Sequence, residues 1–270
     1  MKKKNIKKLA NNIRLDLLKM IFKSQSSHIA SSLSIVDLLV VLYGKKIIKF
    51  DPNKPNLSNR DFFILSKGHA AAALYAVLAN VGYFSKRKLL EYGRDNSNFM
   101  THASHKVPGV EFSTGSLGHG LPFACGLAIA KKRKKLSNYV YVINSDGEMA
   151  EGSNWEAILF AAHHKLDNLI LIIDYNKLQS FGSVDSTLGI EPIKSKFLSF
   201  GWNVYETNGH NYKKIEQVLL SCKATKGKPK CIIANTLKGK GISFMENKVE
   251  WHYKYPNKIQ FEQAVKELTL

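Results

Sequence analysis

The chain has 270 residues, 44% of them hydrophobic, enough to bury a full core without disulfide or metal support. Its three cysteines, Cys125, Cys222 and Cys231, form no CxxC pair, which argues against a zinc site or a disulfide framework and for a reducing, cytoplasmic setting. The net charge is +19, but 35 of the 40 basic residues are lysine and only five are arginine, the residue that dominates bidentate base and phosphate recognition, so solvated surface, an acidic partner or an anionic substrate fits better than nucleic acid.

The basic N-terminus (MKKKNIKK) leads into no signal-peptide core, because Asp16 and Lys19 interrupt the apolar residues, and no apolar run reaches the length of a membrane span. Residues 7–23 have helical spacing through Leu9, Ile13, Leu17 and Ile21. A polar segment at 24–34 carries His28, and residues 35–43 read as a second apolar helix. After a polar loop at 53–59, residues 62–65 read as a strand, 66–69 (SKGH) as a turn and 70–81 as a helix. Residues 94–120 lack periodicity and are rich in Gly, His, Ser and Thr; a long irregular segment inside a compact domain is usually functional or disordered. Residues 118–135 read as a small-residue helix ending in a lysine cluster, where cations suit the helix dipole.

Residues 139–144 (YVYVIN) read as a buried strand, followed by Ser145-Asp146-Gly147-Glu148. A helix at 151–165 and a second apolar strand at 169–174 (LILIID) lead to Tyr175-Asn176-Lys177-Leu178. Asp146 and Asn176 thus each follow a strand, at the end where parallel sheets bind ligands. A carboxylate, an amide oxygen and nearby backbone suit Mg²⁺, which accepts few protein oxygens and takes others from a phosphate. The unit reads as a magnesium–diphosphate site; the alternative is a plain strand-to-helix turn at Asp146-Gly147 and a loop residue at Asn176. A loop at 177–189, a helix near 192–200, a strand at 202–205, a helix at 212–222 and a strand at 231–235 follow. A Gly/Lys loop at 238–241 then leads to Trp251-His252 and a last helix at 259–268. This alternation predicts a single α/β domain over residues 1–270, a parallel sheet with helices on both faces.

Four histidines, His28, His69, His102 and His252, fall in polar turns or loops rather than on apolar helix faces. The segments around them are SSHIASSLS (26–34), LSKGHAAAALYAVLANVGYF (65–84), HASHKVPGVEFSTGSLGHGL (102–121) and TLKGKGISFMENKVEWH (236–252). Together with the DG…EG…N spacing they resemble, in order, the N-terminal diphosphate-binding domain of transketolases, which are thiamine diphosphate (ThDP) enzymes. The resemblance implies the thiamin diphosphate-binding fold. It implies that Asp146, Asn176 and the Leu178 carbonyl bind Mg²⁺ (or Ca²⁺), and that Gly147 lets the backbone approach the diphosphate. His69 and His252 would donate to the diphosphate, with His252 also reaching substrate, while His28 and His102 would face the substrate. Gly115 and Leu117 would line the aminopyrimidine. Glu151 and Glu156 match acids that connect paired active sites at the subunit interface, and Glu151 is placed among the cofactor contacts; ordinary first-turn helix acids are the alternative. Because imidazole titrates near neutrality, the catalytic set His28, His102 and His252 is expected to donate or relay protons, while the cofactor carries the carbon–carbon chemistry.

Full-length transketolases continue into a pyrimidine-binding domain that carries the glutamate activating the cofactor, and nothing in this sequence corresponds to it. The resemblance therefore implies the N-terminal subunit of a two-component transketolase, inactive alone. It would pair, as an α₂β₂ heterotetramer, with a C-terminal subunit and transfer a two-carbon ketol unit from a ketose to an aldose, on sugar or sugar-phosphate substrates. Alternatives are a deoxyxylulose-phosphate synthase-like or 2-oxoacid-processing ThDP enzyme, or a non-catalytic subunit on the same fold. Several residues depart from the family pattern. Ser145 stands where Gly is usual, Ser27-His28-Ile29 replaces Gly-His-Pro, and Tyr253 stands where Gly commonly follows the last histidine. Gln179-Ser180-Phe181-Gly182 is less apolar than a thiazolium neighbour usually is. A reshaped donor pocket, as for a branched or nucleotide-linked sugar, is one explanation.

Overall fold

A computed structural model describes residues 5–269; Met1 to Lys4 of the basic N-terminus and Leu270, the two ends of the expected 1–270 domain, lie outside the described residues. Five strands form one sheet: β1 (Phe62–Leu65), β2 (Val140–Ser145), β3 (Leu169–Tyr175), β4 (Asn203–Asn208) and β5 (Lys230–Asn235). Their spatial order is β1-β2-β3-β5-β4, every pair parallel. The chain therefore passes from β3 to the edge as β4 and returns through a helix to insert β5 beside β3.

Both faces of the sheet are covered, which is why its strands read as continuous apolar runs. Phe63, Leu65, Tyr141, Ile143, Ile170, Ile172, Ile232 and Ala234 point to one core. That core is shared with α1 (Ile6–Ser24), α2 (Ile29–Leu33), α3 (Val36–Leu39), α4 (Ala71–Val81), α9 (Tyr212–Ala224) and α10 (Lys258–Thr269). The alternate residues Phe62, Ile64, Val140, Val142, Leu169, Leu171, Ile173 and Ile233 point to the other core. There they meet α5 (Gly120–Arg133), α6 (Gly152–His163), α7 (Val184–Leu188) and α8 (Ile193–Ser199). The expected α/β architecture with helices on both faces is what forms. No helix among the described residues is long and apolar enough to cross a membrane.

Three local expectations are corrected. The polar segment at 24–34 contains the buried helix α2. Tertiary contacts offset part of the cost of burying its serines: Ser31 Oγ lies 3.5 Å from His252 Nδ1, and Ser34, which closes the helix, donates through Oγ to Asp174 Oδ2 at 2.7 Å, while Ser32 Oγ is buried without a partner. The apolar helix at 35–43 is α3 running into a π-helical turn, Val40–Gly44. That segment is buried on every side, so packing on α1, α4 and α9 shapes it rather than an amphipathic pattern. The loop at 177–189 holds the short helix α7, capped by the Ser183 hydroxyl.

The sheet positions the site by where its strands end. The apolar alternation gives way to buried polar residues at the C-terminal ends: Ser66 and Lys67 after β1, Asn144 and Ser145 closing β2, Asp174 in β3, and Lys238 beyond β5. Burying polar groups costs free energy unless each is paired, so these groups have to satisfy one another or a ligand.

Candidate active site

A cavity of about 240 Å³ opens over these strand ends. It brings together His28, His69, His102, Gly115, Leu117, Asp146, Gly147, Asn176, Leu178 and His252, all expected from the sequence. Glu151 is the exception. It is exposed at the start of α6 and does not line the cavity, so the cofactor contact expected for it is not assembled by this chain's own cavity.

The four histidine rings arrive from different elements and pack together. His28 lies 5.0 Å from His252, 5.3 Å from His69 and 5.6 Å from His102, centroid to centroid. His28 precedes α2 in left-handed backbone (φ 72°), a conformation a non-glycine residue holds only under constraint. Its N–H donates to the His252 carbonyl at 2.7 Å, and its Nδ1 meets Ser27 Oγ at 2.8 Å. The His102 loop hangs on Tyr75 of α4, whose hydroxyl donates to the His102 carbonyl at 2.9 Å and accepts the Ser104 N–H at 3.0 Å. The β1–α4 turn needs Gly68, since a Cβ there would stand 2.3 Å from the Thr114 carbonyl oxygen.

The expected titration near neutrality is corrected by this crowding. Burial, then His102, Lys238 and Lys67, lower the His28 pKa to about 4. Burial, then Lys238, His28 and Lys67, lower His252 to about 3. His69 is pushed well down by burial and Lys67, and His102 is lowered by burial. At neutral pH the cluster is four neutral imidazoles, each with one donor and one acceptor nitrogen.

Two buried lysines that no sequence motif singles out complete the cationic side. Lys67 Nζ pairs with Asp174 Oδ2 at 2.5 Å and donates to the Ser31 carbonyl at 3.0 Å. Burial alone would raise the Asp174 pKa, but Lys67, Thr236 and Ser34 outweigh it and hold the carboxyl ionised. Lys238 Nζ donates to the carbonyls of Leu178 and Gln179 at 3.0 and 2.7 Å and to His252 Nδ1 at 3.0 Å. That last contact puts the His252 proton on Nε2. Burial, then Lys67, lower the Lys238 pKa to about 8.

Asn176 Nδ2 donates to Asp174 Oδ2 at 3.0 Å, which leaves its Oδ1 facing the Leu178 N–H at 3.1 Å. Asp146 Oδ1 accepts the Gly147 N–H at 2.8 Å, and Oδ2 accepts the Lys177 N–H. Burial, then the neighbouring Asp174, raise the Asp146 pKa to about 7. Glu148 is the main residue missed. Fully buried, it accepts from Ser66 Oγ, the Gly118 N–H at 2.9 Å and the Ser145 N–H at 3.2 Å, tying the ends of β1 and β2 to the start of α5. Ser145 Oγ in turn accepts the Glu148 N–H at 3.2 Å. Ser-x-x-Glu is a capping box, and that spacing was the available signal. It also accounts for serine at 145, whose hydroxyl holds the Glu148 N–H inside the 3₁₀ turn Gly147–Ala150, capped by Asp146, while its own φ stays negative.

Residues 5–255 match the family described as "Transketolase, thiamine diphosphate binding domain". The chain belongs to this family. It is 45% identical over 242 residues to an apulose-4-phosphate transketolase subunit of Actinobacillus succinogenes, covering 89% of this chain and 87% of that one. It is 40% identical over 260 residues to a 6-deoxy-6-sulfo-D-fructose transketolase subunit of Clostridium sp., covering 96% and 94%. The crystal structure of transketolase from Campylobacter jejuni superimposes with a TM-score of 0.93 at 31% identity over 98% of this chain, which spans 43% of that enzyme. The fold is thus the ThDP-binding fold of transketolases, and similar chains are named as subunits of transketolases.

The cavity's own chemistry fits a metal–diphosphate group. On the anion side are the Lys238 ammonium, the His252 Nε2–H and the Gln179 Nε2, a buried donor without a partner that lines the cavity. On the cation side are the Asp146 carboxylate, the Asn176 amide oxygen and the second lone pair of the Leu178 carbonyl. Among the described residues no three His, Cys, Asp or Glu side chains converge as a metal centre, so a cation here would draw further ligands from phosphate and water, as Mg²⁺ does.

Proposed function

We propose that this chain is the N-terminal subunit of a two-component transketolase, which with a separate pyrimidine-domain subunit moves a two-carbon ketol unit from a ketose to an aldose, on sugar-phosphate substrates. The observation that carries the reading is the single cavity in which Asp146 and Asn176 meet four histidines over the C-terminal ends of the strands. Relatives named as transketolase subunits match it over 87% and 94% of their own length, which supports a two-component enzyme, and the assembly proposed for it is an α₂β₂ heterotetramer. Three free, buried cysteines suit a reducing cytoplasm.

Bound ThDP supplies the electron sink for cleaving and forming the carbon–carbon bond. Asp146, Asn176 and the Leu178 carbonyl hold Mg²⁺ (or Ca²⁺), and Gly147 leaves the backbone open to the diphosphate. His69, His252 and Gln179 donate to the diphosphate oxygens. Gly115 and Leu117 line the ring side of the cavity. His28 and His102 face the sugar, where a neutral imidazole orients a hydroxyl and takes or returns its proton.

The test is calorimetric titration of Mg-ThDP into this chain alone and then into its mixture with the C-terminal subunit, followed by a two-carbon transfer assay. Tight binding and transfer only in the mixture are expected. Transfer by the chain alone would sink the two-component reading, and no binding in either case would sink the ThDP site.

A further inference from the structure

The loop after β5, residues 236–241, delivers Lys238 to the cavity and is held from behind by residues that do not line it. The Leu237 N–H donates to His210 Nε2 at 2.8 Å, the Gly239 N–H to the Ala30 carbonyl at 3.0 Å, and Arg14 Nε to the Lys240 carbonyl at 3.1 Å. His210 sits in the turn between β4 and α9. Because a backbone N–H can only donate, Nε2 is the bare nitrogen and the proton sits on Nδ1. Nδ1 faces Asp37 Oδ2 at 2.8 Å. Asp37, itself 3% exposed, also accepts from Arg14 at 2.7 Å and from Tyr212 at 3.0 Å. Its carboxylate thus fixes both the tautomer and the angle of the ring that grips the loop.

We propose that His210, oriented by Asp37, is a positioning residue that seats the Lys238 loop and, through the Lys238–His252 contact, aims His252 Nε2–H at a diphosphate. The inference rests on the diphosphate reading of the cavity. It assigns His210 no contact with the ligand. Its effect runs through one backbone hydrogen bond, at Leu237, and one side-chain contact, from Lys238 to His252.

Two substitutions separate this role from a purely structural one. In His210→Gln the side-chain oxygen reaches the place of Nε2 and can still accept the Leu237 N–H. In His210→Asn the amide occupies the place of Nδ1 and can still donate to Asp37, but nothing accepts from Leu237. Thermal melts check that each full-length variant folds. The readouts are hydrogen exchange at residues 236–241 and calorimetric binding of magnesium pyrophosphate. His210→Asn is expected to exchange faster in that loop and to bind roughly tenfold more weakly, as outer contacts to a binding group commonly do when cut. His210→Gln is expected to stay near wild type in both. Equal losses in the two variants, or wild-type exchange and affinity in His210→Asn, would overturn the inference while wild-type binding upheld the cavity. Failure of the wild type to bind pyrophosphate both alone and mixed with the C-terminal subunit would overturn the diphosphate reading and this inference with it.

Discussion

Lys67 and Asp174 are 1% and 0% exposed at their side chains, and taking each charge out of water costs several kcal/mol. Their contact, with Ser34, Asn176 and Thr236 also donating to the carboxylate, offsets that cost. Lys67→Met is therefore expected to lower unfolding free energy by about 3–5 kcal/mol, because it strands a buried carboxylate. The double variant Lys67→Met/Asp174→Asn should recover part of the loss, and urea denaturation checks both. Asp37 allows a pH prediction. Burial works to raise its pKa, but His210 and Arg14 outweigh it and hold the carboxyl below its ordinary 3.8. A depressed carboxyl pKa stabilises the fold above the unfolded value and loses that contribution as pH falls through the folded one. Asp37→Asn should thus show a shallower fall in stability below about pH 4 than wild type, and at pH 7 a loss of about 3 kcal/mol from leaving Arg14 unpaired. Urea midpoints across pH 3–7 would show it; an unchanged acid limb would contradict the sign. The charges in both clusters come from positions far apart in the chain, which is why Lys67 and Asp37 carried no signal as single letters while Asp146, inside a spaced motif, did.

Elements meet the site through their ends, and backbone geometry decides what those ends tolerate. Gly239 sits one residue past Lys238 with φ +82°, and a Cβ on it would stand 2.3 Å from the Met245 carbonyl oxygen. Gly239→Ala is expected to cost at least the roughly 1–2 kcal/mol of left-handed strain, plus whatever displacing the loop adds. It should weaken pyrophosphate binding in parallel, since the loop carries Lys238; loss of stability with full affinity would separate the loop from the cavity. The helices at 7–23 and 212–222 were legible because their periods match their burial, and the long central strands and the helix at 70–81 because they are continuous apolar runs buried on every side. The helix α2 was not, because it is buried by tertiary packing that no local pattern reveals: Ser31 lies against His252, and Ser34, just past the helix, donates to Asp174. The edge strand β4 was placed short, at 202–205, because an edge strand is buried on few residues and its polar letters look like a loop.

At the scale of the whole molecule, a ligand that binds only the folded chain raises its stability by mass action. At one hundred times its dissociation constant, Mg-ThDP should add about 2.7 kcal/mol to the unfolding free energy, visible as a rise in Tm that Mg²⁺ alone does not give. Asp146→Ala should abolish the rise while leaving a folded protein; a full rise in that variant would remove Asp146 from the metal site. The net charge of +19 sets up self-repulsion across the surface, so moderate NaCl should also raise Tm, independently of the cofactor.

The sequence by itself determined the α/β class, the parallel sheet, the strand-end positions of Asp146 and Asn176 and the order of the four histidines, because each is written in local period or fixed spacing. Only the tertiary structure decided that the histidines are neutral, that Lys67 and Lys238 stand among them, that Glu148 joins three elements, that Glu151 stays outside, and that His210 grips the loop from behind. Protonation and positioning depend on burial and on charges brought within a few ångströms from distant segments. Those distances exist only once the sheet has gathered its strand ends.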